Sequence, residues 1–205
     1  MRLPPVTLPL AALLSLAACG GPAEPAAAPT SSAPSAAVRS PVAFDQSLHD
    51  ELVAMLKRDQ ADRAGTPQTE TDEARTTRLK EIVRTHGWPT FALVGADGGD
   101  AAWAIAQHSD QDPAFQQEAL DLLRAAVATE QASPGNLAYL EDRVAVGRGK
   151  PQVYGTQVRC GPNGPVPSTP ITDEPTVERR RADAGLPTLA SYLAEMTTIC
   201  ARDGD

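Results

Sequence analysis

The chain has 205 residues, a formal net charge of −8 and only three cysteines. That charge speaks against nucleic acid as a partner, because binding phosphates needs a basic face. There is no phosphate-binding glycine loop, nucleophile elbow or HExxH motif, and no cysteine pair has zinc-finger spacing, so neither a cofactor nor a metal is expected.

Residues 1–18 read as a signal peptide: Met1-Arg2, then a mostly apolar run from Leu3 to Ala18. Pro4, Pro5 and Pro9 interrupt that run, and it falls short of the roughly 20 apolar residues a spanning helix needs. Leu16-Ala17-Ala18-Cys19 resembles the lipobox of bacterial lipoproteins, which implies cleavage before Cys19, lipid on its thiol, and membrane attachment at the cell surface or in the periplasm. The competing expectation is an ordinary secreted protein cut beside a cysteine. Lipidation would leave Cys160 and Cys200 as an even pair in an oxidising compartment, where a disulfide is expected and two unpaired thiols are the alternative. Residues 19–43 are rich in Ala, Pro and Ser and have too few large apolar side chains to fold alone. At about 3.1 Å per residue, such a linker reaches roughly 70 Å. Residues 44–205 then suffice for a single domain.

The first expected helix, Phe44 to Ala64, starts at Asp45 or Ser47 and carries Leu48, Leu52, Met55 and Leu56 at helical spacing. Continuing that stripe places Asp59 on the core face and Arg63 four residues on, as its nearest partner. Solvation of both at a departing helix end is the other possibility. A second helix, Asp72 to His86, buries Leu79, Ile82 and Val83 and stops at Gly87. Phe91 to Val94 reads as a short strand, Gly95 to Asp100 as a loop, and Ala101 to His108 as a helix with Trp103 and Gln107 on one face. His108 sits at the helix end, where it serves either as a base or as a simple cap. A further helix follows from Asp112-Pro113 to Ala128.

The helix from Pro134 to Val146 places Arg143 inside an apolar arc, with Asp142 at its boundary. A guanidinium cannot neutralise itself, so Arg143 needs either a buried partner, with Asp59 the candidate, or a bound anion. Gln152 to Cys160 reads as a strand closed by a Gly161–Pro165 turn into a hairpin. Its amides, phenol and hydroxyl line either a site or the wet side of an edge strand. Two closing helices, Pro175 to Ala184 and Pro187 to Ala201, supply Leu189, Tyr192, Leu193, Met196 and Ile199 as cover.

Five segments together resemble a bacterial family known only as domain of unknown function 6624: Asp59-Gln60 with Arg63, Gly87-Trp88-Pro89, Trp103 with Gln107-His108, Leu140 to Val144, and Gly149 to Gln157. The likeness spans about Leu48 to Leu193. It implies that these polar residues recur in one site and implies no reaction. The fold expected is mainly α (α+β), a compact helical domain of five to seven helices with one small β-hairpin. Asp59, His108 and Arg143 are the candidate catalytic residues; Gln60, Arg63, Trp103, Gln107, Asp142, Gln152, Tyr154 and Gln157 are the candidate binding residues. The partner expected besides the membrane is a small polar or anionic ligand. Hydrolysis or group transfer on an envelope or extracellular molecule, capture without turnover, and a purely structural polar core all remain open.

Overall fold

The computed structural model describes residues 42–203, with side chains to residue 201. The expected signal peptide, Cys19 and nearly all of the linker lie outside the described residues. The domain contains seven α-helices and one antiparallel hairpin: α1 Gln46–Arg63, α2 Asp72–His86, α3 Phe91–Gln107, α4 Pro113–Val127, α5 Pro134–Gly147, β1 Val158–Gly161, β2 Gly164–Pro167, α6 Val177–Asp183 and α7 Leu189–Asp203. Among the described residues no helix is long and apolar enough to cross a membrane.

Local chemistry accounts for most of these boundaries. Asp45, Thr71, Asp112 and Ser133 each accept an amide hydrogen of the first turn that follows them, and Pro113 and Pro134 occupy first helical positions where no N–H is needed. Gly87, at φ +74, terminates α2.

The start of α3 departs from expectation: Phe91 to Val94 is helical, not a strand, and the helix continues through the expected loop across a non-helical residue, Gly95 (φ 75, ψ 174). The reason is tertiary. Gln131 supplies its backbone carbonyl to the Phe91 amide at 3.0 Å and its side-chain oxygen to the Ala92 amide at 3.0 Å, capping a turn that lacks a local cap.

Helices α1 to α5 enclose the main core, which includes Leu52, Met55, Leu79, Ile82, Ile105, Leu123 and Leu140. The small side chains Ala101, Ala102 and Ala106 let α3 pass between its neighbours. A second cluster, Val177, Leu189 and Tyr192 with Val158, Ile171, Leu193 and Met196, joins the hairpin to α6 and α7. Ile199, expected as cover, is exposed. Tyr139 connects the two cores, with its ring edge-to-face against Trp103 at 5.9 Å and Tyr192 at 6.0 Å. The disulfide forms between Cys160 on β1 and Cys200 on α7, with Cα atoms 5.4 Å apart.

The hairpin is shorter than expected. Ladder pairing runs only from Val158↔Pro167 to Gly161↔Gly164, and Gln152 makes one isolated parallel bridge to Ile171. Residues 153–157 are a loop, for a reason that lies in the site.

Candidate functional site

Asp59 is fully buried at the end of α1, where the apolar stripe carries it inward. Gln60 Nε2 donates to it at 2.8 Å, Arg63 Nη2 at 3.1 Å, and Arg63 Nε lies 3.2 Å from both oxygens. His108 Nδ1 stands 2.9 Å from Asp59 Oδ1 and 3.0 Å from Arg63 Nε. Nδ1 cannot serve both contacts: carrying the ring hydrogen it donates to Asp59, and bare it accepts from Arg63 Nε; the shorter contact, and a carboxylate that only accepts, favour the hydrogen on Nδ1. Among the described residues nothing hydrogen-bonds Nε2, and the His108 side chain is partly exposed. Burial opposes the charge on Asp59, but the His108 and Arg63 hydrogen bonds outweigh it and hold the carboxyl down at about 2.

The sequence reading missed Arg75 and the two aspartates it pairs with, Asp62 and Asp72. Arg75 is fully buried, bonds Asp62 at 3.1 Å and Glu70 O at 2.9 Å, pairs with Asp72, and brings its Nε to 3.7 Å from Asp59. The signal was present, because Arg75 lies four residues before Leu79 on the stripe that buries α2.

A second group centres on Arg143. Its guanidinium does not reach Asp59; it closes on Asp110 through two parallel bonds, from Nε at 2.9 Å and from Nη2, while Nη1 donates to Gln157 Oε1 at 3.2 Å. Burial works against the Asp110 charge and the Arg143 bond overrides it, keeping the carboxyl below its ordinary range. Gln116 Nε2 adds a bond to Asp110 at 3.2 Å, and Gln107 and Gln157 both donate to Tyr139 O, at 3.4 and 3.3 Å. Asp110, Pro113, Gln116, Arg143, Val144, Val146, Gly147 and Arg148 line a cavity of about 280 Å³.

One turn joins the two groups. Gln107 reaches α5, His108 reaches α1, the Ser109 hydroxyl bonds Thr76 on α2 at 2.9 Å, and Asp110 reaches Arg143 on α5. Ser109 is fully buried and donates to Ile105 O at 2.8 Å, so it offers no free nucleophile.

Asp142 occupies a third location. Fully buried, it accepts from the backbone amides of Val153 (2.7 Å), Tyr154 (3.1 Å) and Thr156 (2.9 Å) and from the Thr156 hydroxyl (3.0 Å). These are the amides a strand would have used for pairing, which is why 153–157 is a loop. Gly155, at φ +70, makes the turn around the carboxylate. Arg180 and Arg181 bond the carbonyls of Val153 and Tyr154 at 2.8 Å each, and Tyr192 bonds Thr156 O at 2.7 Å. Gln152 is fully buried and spends its amide on Gln157 and Thr169. The clamped loop thereby presents Gln157 to Arg143.

The residues singled out from the sequence are therefore distributed. Asp59, Gln60, Arg63 and His108 meet; Arg143, Gln157 and Gln107 meet beside them; Asp142 and Gln152 hold the loop. Of these, only Arg143 lines the 280 Å³ cavity. The Tyr154 side chain lines a separate depression with Leu137, Arg180 and Asp183. Trp103 is half-buried against Tyr139, and its Nε1 has no hydrogen-bond partner among the described residues. Asp110 and Gln116 were not anticipated at the site. Among the described residues, no three His, Cys, Asp or Glu side chains are grouped to hold a metal ion.

Fold and site together define a helical domain in which one polar turn joins four helices. The chain belongs to the family of unknown function DUF6624, whose model matches residues 46–200. No curated protein and no solved structure matches it.

Proposed function

We propose that this chain is an exported, membrane-anchored lipoprotein that acts as a hydrolase or transferase on an envelope or extracellular molecule, with His108 as proton acceptor. The observation that carries the catalytic part is the Asp59–His108 pair: a buried, ionised carboxylate stands 2.9 Å from Nδ1, and Nε2 has no hydrogen-bond partner among the described residues. Nε2 takes a proton from water as water attacks, Asp59 stabilises the resulting imidazolium, and the proton passes to the leaving group. Asp59 itself has no open face, so it positions His108 and does not touch substrate. Arg63 holds the carboxylate in place, and Arg143 supplies positive charge for an anionic or carbonyl group. The order of signal, lipobox and linker in residues 1–43 supports export and the anchor at Cys19.

The direct test is turnover of p-nitrophenyl acetate and bis(p-nitrophenyl) phosphate by the whole mature chain and by His108→Gln. General-base removal lowers kcat about 10²- to 10⁴-fold with KM little changed. Equal turnover by both proteins would contradict the assignment.

The second reading is a binding module without turnover. It is favoured by one observation: neither His108 nor Asp59 lines the cavity at Arg143. It predicts saturable ligand binding and no hydrolysis for His108→Gln to abolish.

A further inference from the structure

The geometry points to the cavity between α4 and the end of α5 as a binding site for a small monocarboxylate bearing a compact apolar body, with Arg148 as its specificity-determining residue. This rests on the reading that Arg143 and Asp110 belong to the substrate site. Three features of the lining argue for that ligand. First, the protein carries a net charge of −8, yet two arginines and one aspartate line this cavity, leaving it one positive charge in excess. That surplus matches a monoanion better than a neutral or doubly charged guest.

Second, Asp110 and Gln157 leave Arg143 spare capacity. Nε and Nη2 engage Asp110 and Nη1 engages Gln157, which accounts for three of five guanidinium hydrogens and leaves one on each terminal nitrogen. Two such hydrogens suit the two oxygens of a carboxylate. Arg148 forms no ion pair among the described residues and stands exposed at the rim, at the carbonyl end of α5. Third, Pro113, Val144 and Val146 form the apolar wall, and about 280 Å³ accommodates a ring or short branched chain but not a polymer.

The test uses benzoate against the whole mature chain, read by amide chemical-shift titration. Shifts of residues 143–148 that saturate with benzoate are expected, with weaker binding of neutral benzamide and of dianionic phenyl phosphate. Arg148→Gln should weaken benzoate about tenfold, and Arg148→Lys should restore most of the affinity. Gly147→Leu adds bulk at a lining residue where an added Cβ meets nothing within 4 Å, and it is expected to weaken benzoate. Benzamide or phenyl phosphate binding as tightly as benzoate, unchanged affinity in Arg148→Gln, or no saturable shift would each overturn the inference. Benzoate affinity unchanged in His108→Gln keeps this result separate from the base assignment, which stands or falls on turnover.

Discussion

At the scale of single residues, two buried aspartates have opposite roles. Asp59 is paired with charged side chains beside a partly exposed histidine, whereas Asp142 is spent on backbone donors. Removing the Asp142 carboxylate takes the acceptor from the part-buried amides of Val153 and Tyr154 and from the buried amide and hydroxyl of Thr156, at roughly 1–3 kcal/mol for each uncompensated group. Asp142→Ala is therefore expected to destabilise the domain by at least about 3 kcal/mol, seen as a shifted urea midpoint; a loss below 1 kcal/mol would contradict the clamp. Asp59 gives a pH signature. Its folded pKa of about 2 lies below the ordinary 3.8, so its stabilising contribution is present above about pH 4 and is lost as pH falls toward 2. The contribution is roughly 2 kcal/mol. Acid unfolding of Asp59→Asn should accordingly be flatter than that of the wild type between pH 4 and 2.

At the scale of elements, helices were legible wherever a continuous apolar stripe met a local cap, as in α1, α2, α4 and α5. The same stripes made Asp59 visible, and extending the one on α2 would have revealed Arg75. What could not be read was long-range chemistry. Gln131 caps α3 from a later loop, and Asp142 takes the amides of an apparent strand from ten or more residues away. The partner of Arg143 is 33 residues off, so patterning showed that it needed one without saying that Asp110 would supply it. The loop held by Asp142 leads to a further expectation. A Cβ on Gly155 would come within 2.6 Å of Ile171 Cδ1 and would also occupy φ +70. Gly155→Ala should therefore cost about 1–3 kcal/mol by thermal unfolding and perturb the Gln157 side-chain resonances. The Cys160–Cys200 link closes a 40-residue separation between the hairpin and α7. Reduction should lower stability by about 2–4 kcal/mol while far-ultraviolet dichroism stays helical.

In the whole molecule, the four consecutive residues 107–110 reach three other helices, so the site exists only when the domain is assembled. The proposed lipid anchor at Cys19 belongs to the same scale. Cys19→Ser should move the protein from the membrane fraction to the soluble extracytoplasmic fraction and abolish incorporation of labelled palmitate; retention at the membrane would contradict the lipid assignment.

In the proposed site Asp59 fixes His108 with its hydrogen on Nδ1 and a free Nε2. Long-range ¹H–¹⁵N correlation of the imidazole at high pH reads this directly. A protonated Nδ1 and a bare Nε2 are expected in the wild type, with the preference weakened in Asp59→Asn. A hydrogen on Nε2, with Nδ1 accepting from Arg63, would contradict it.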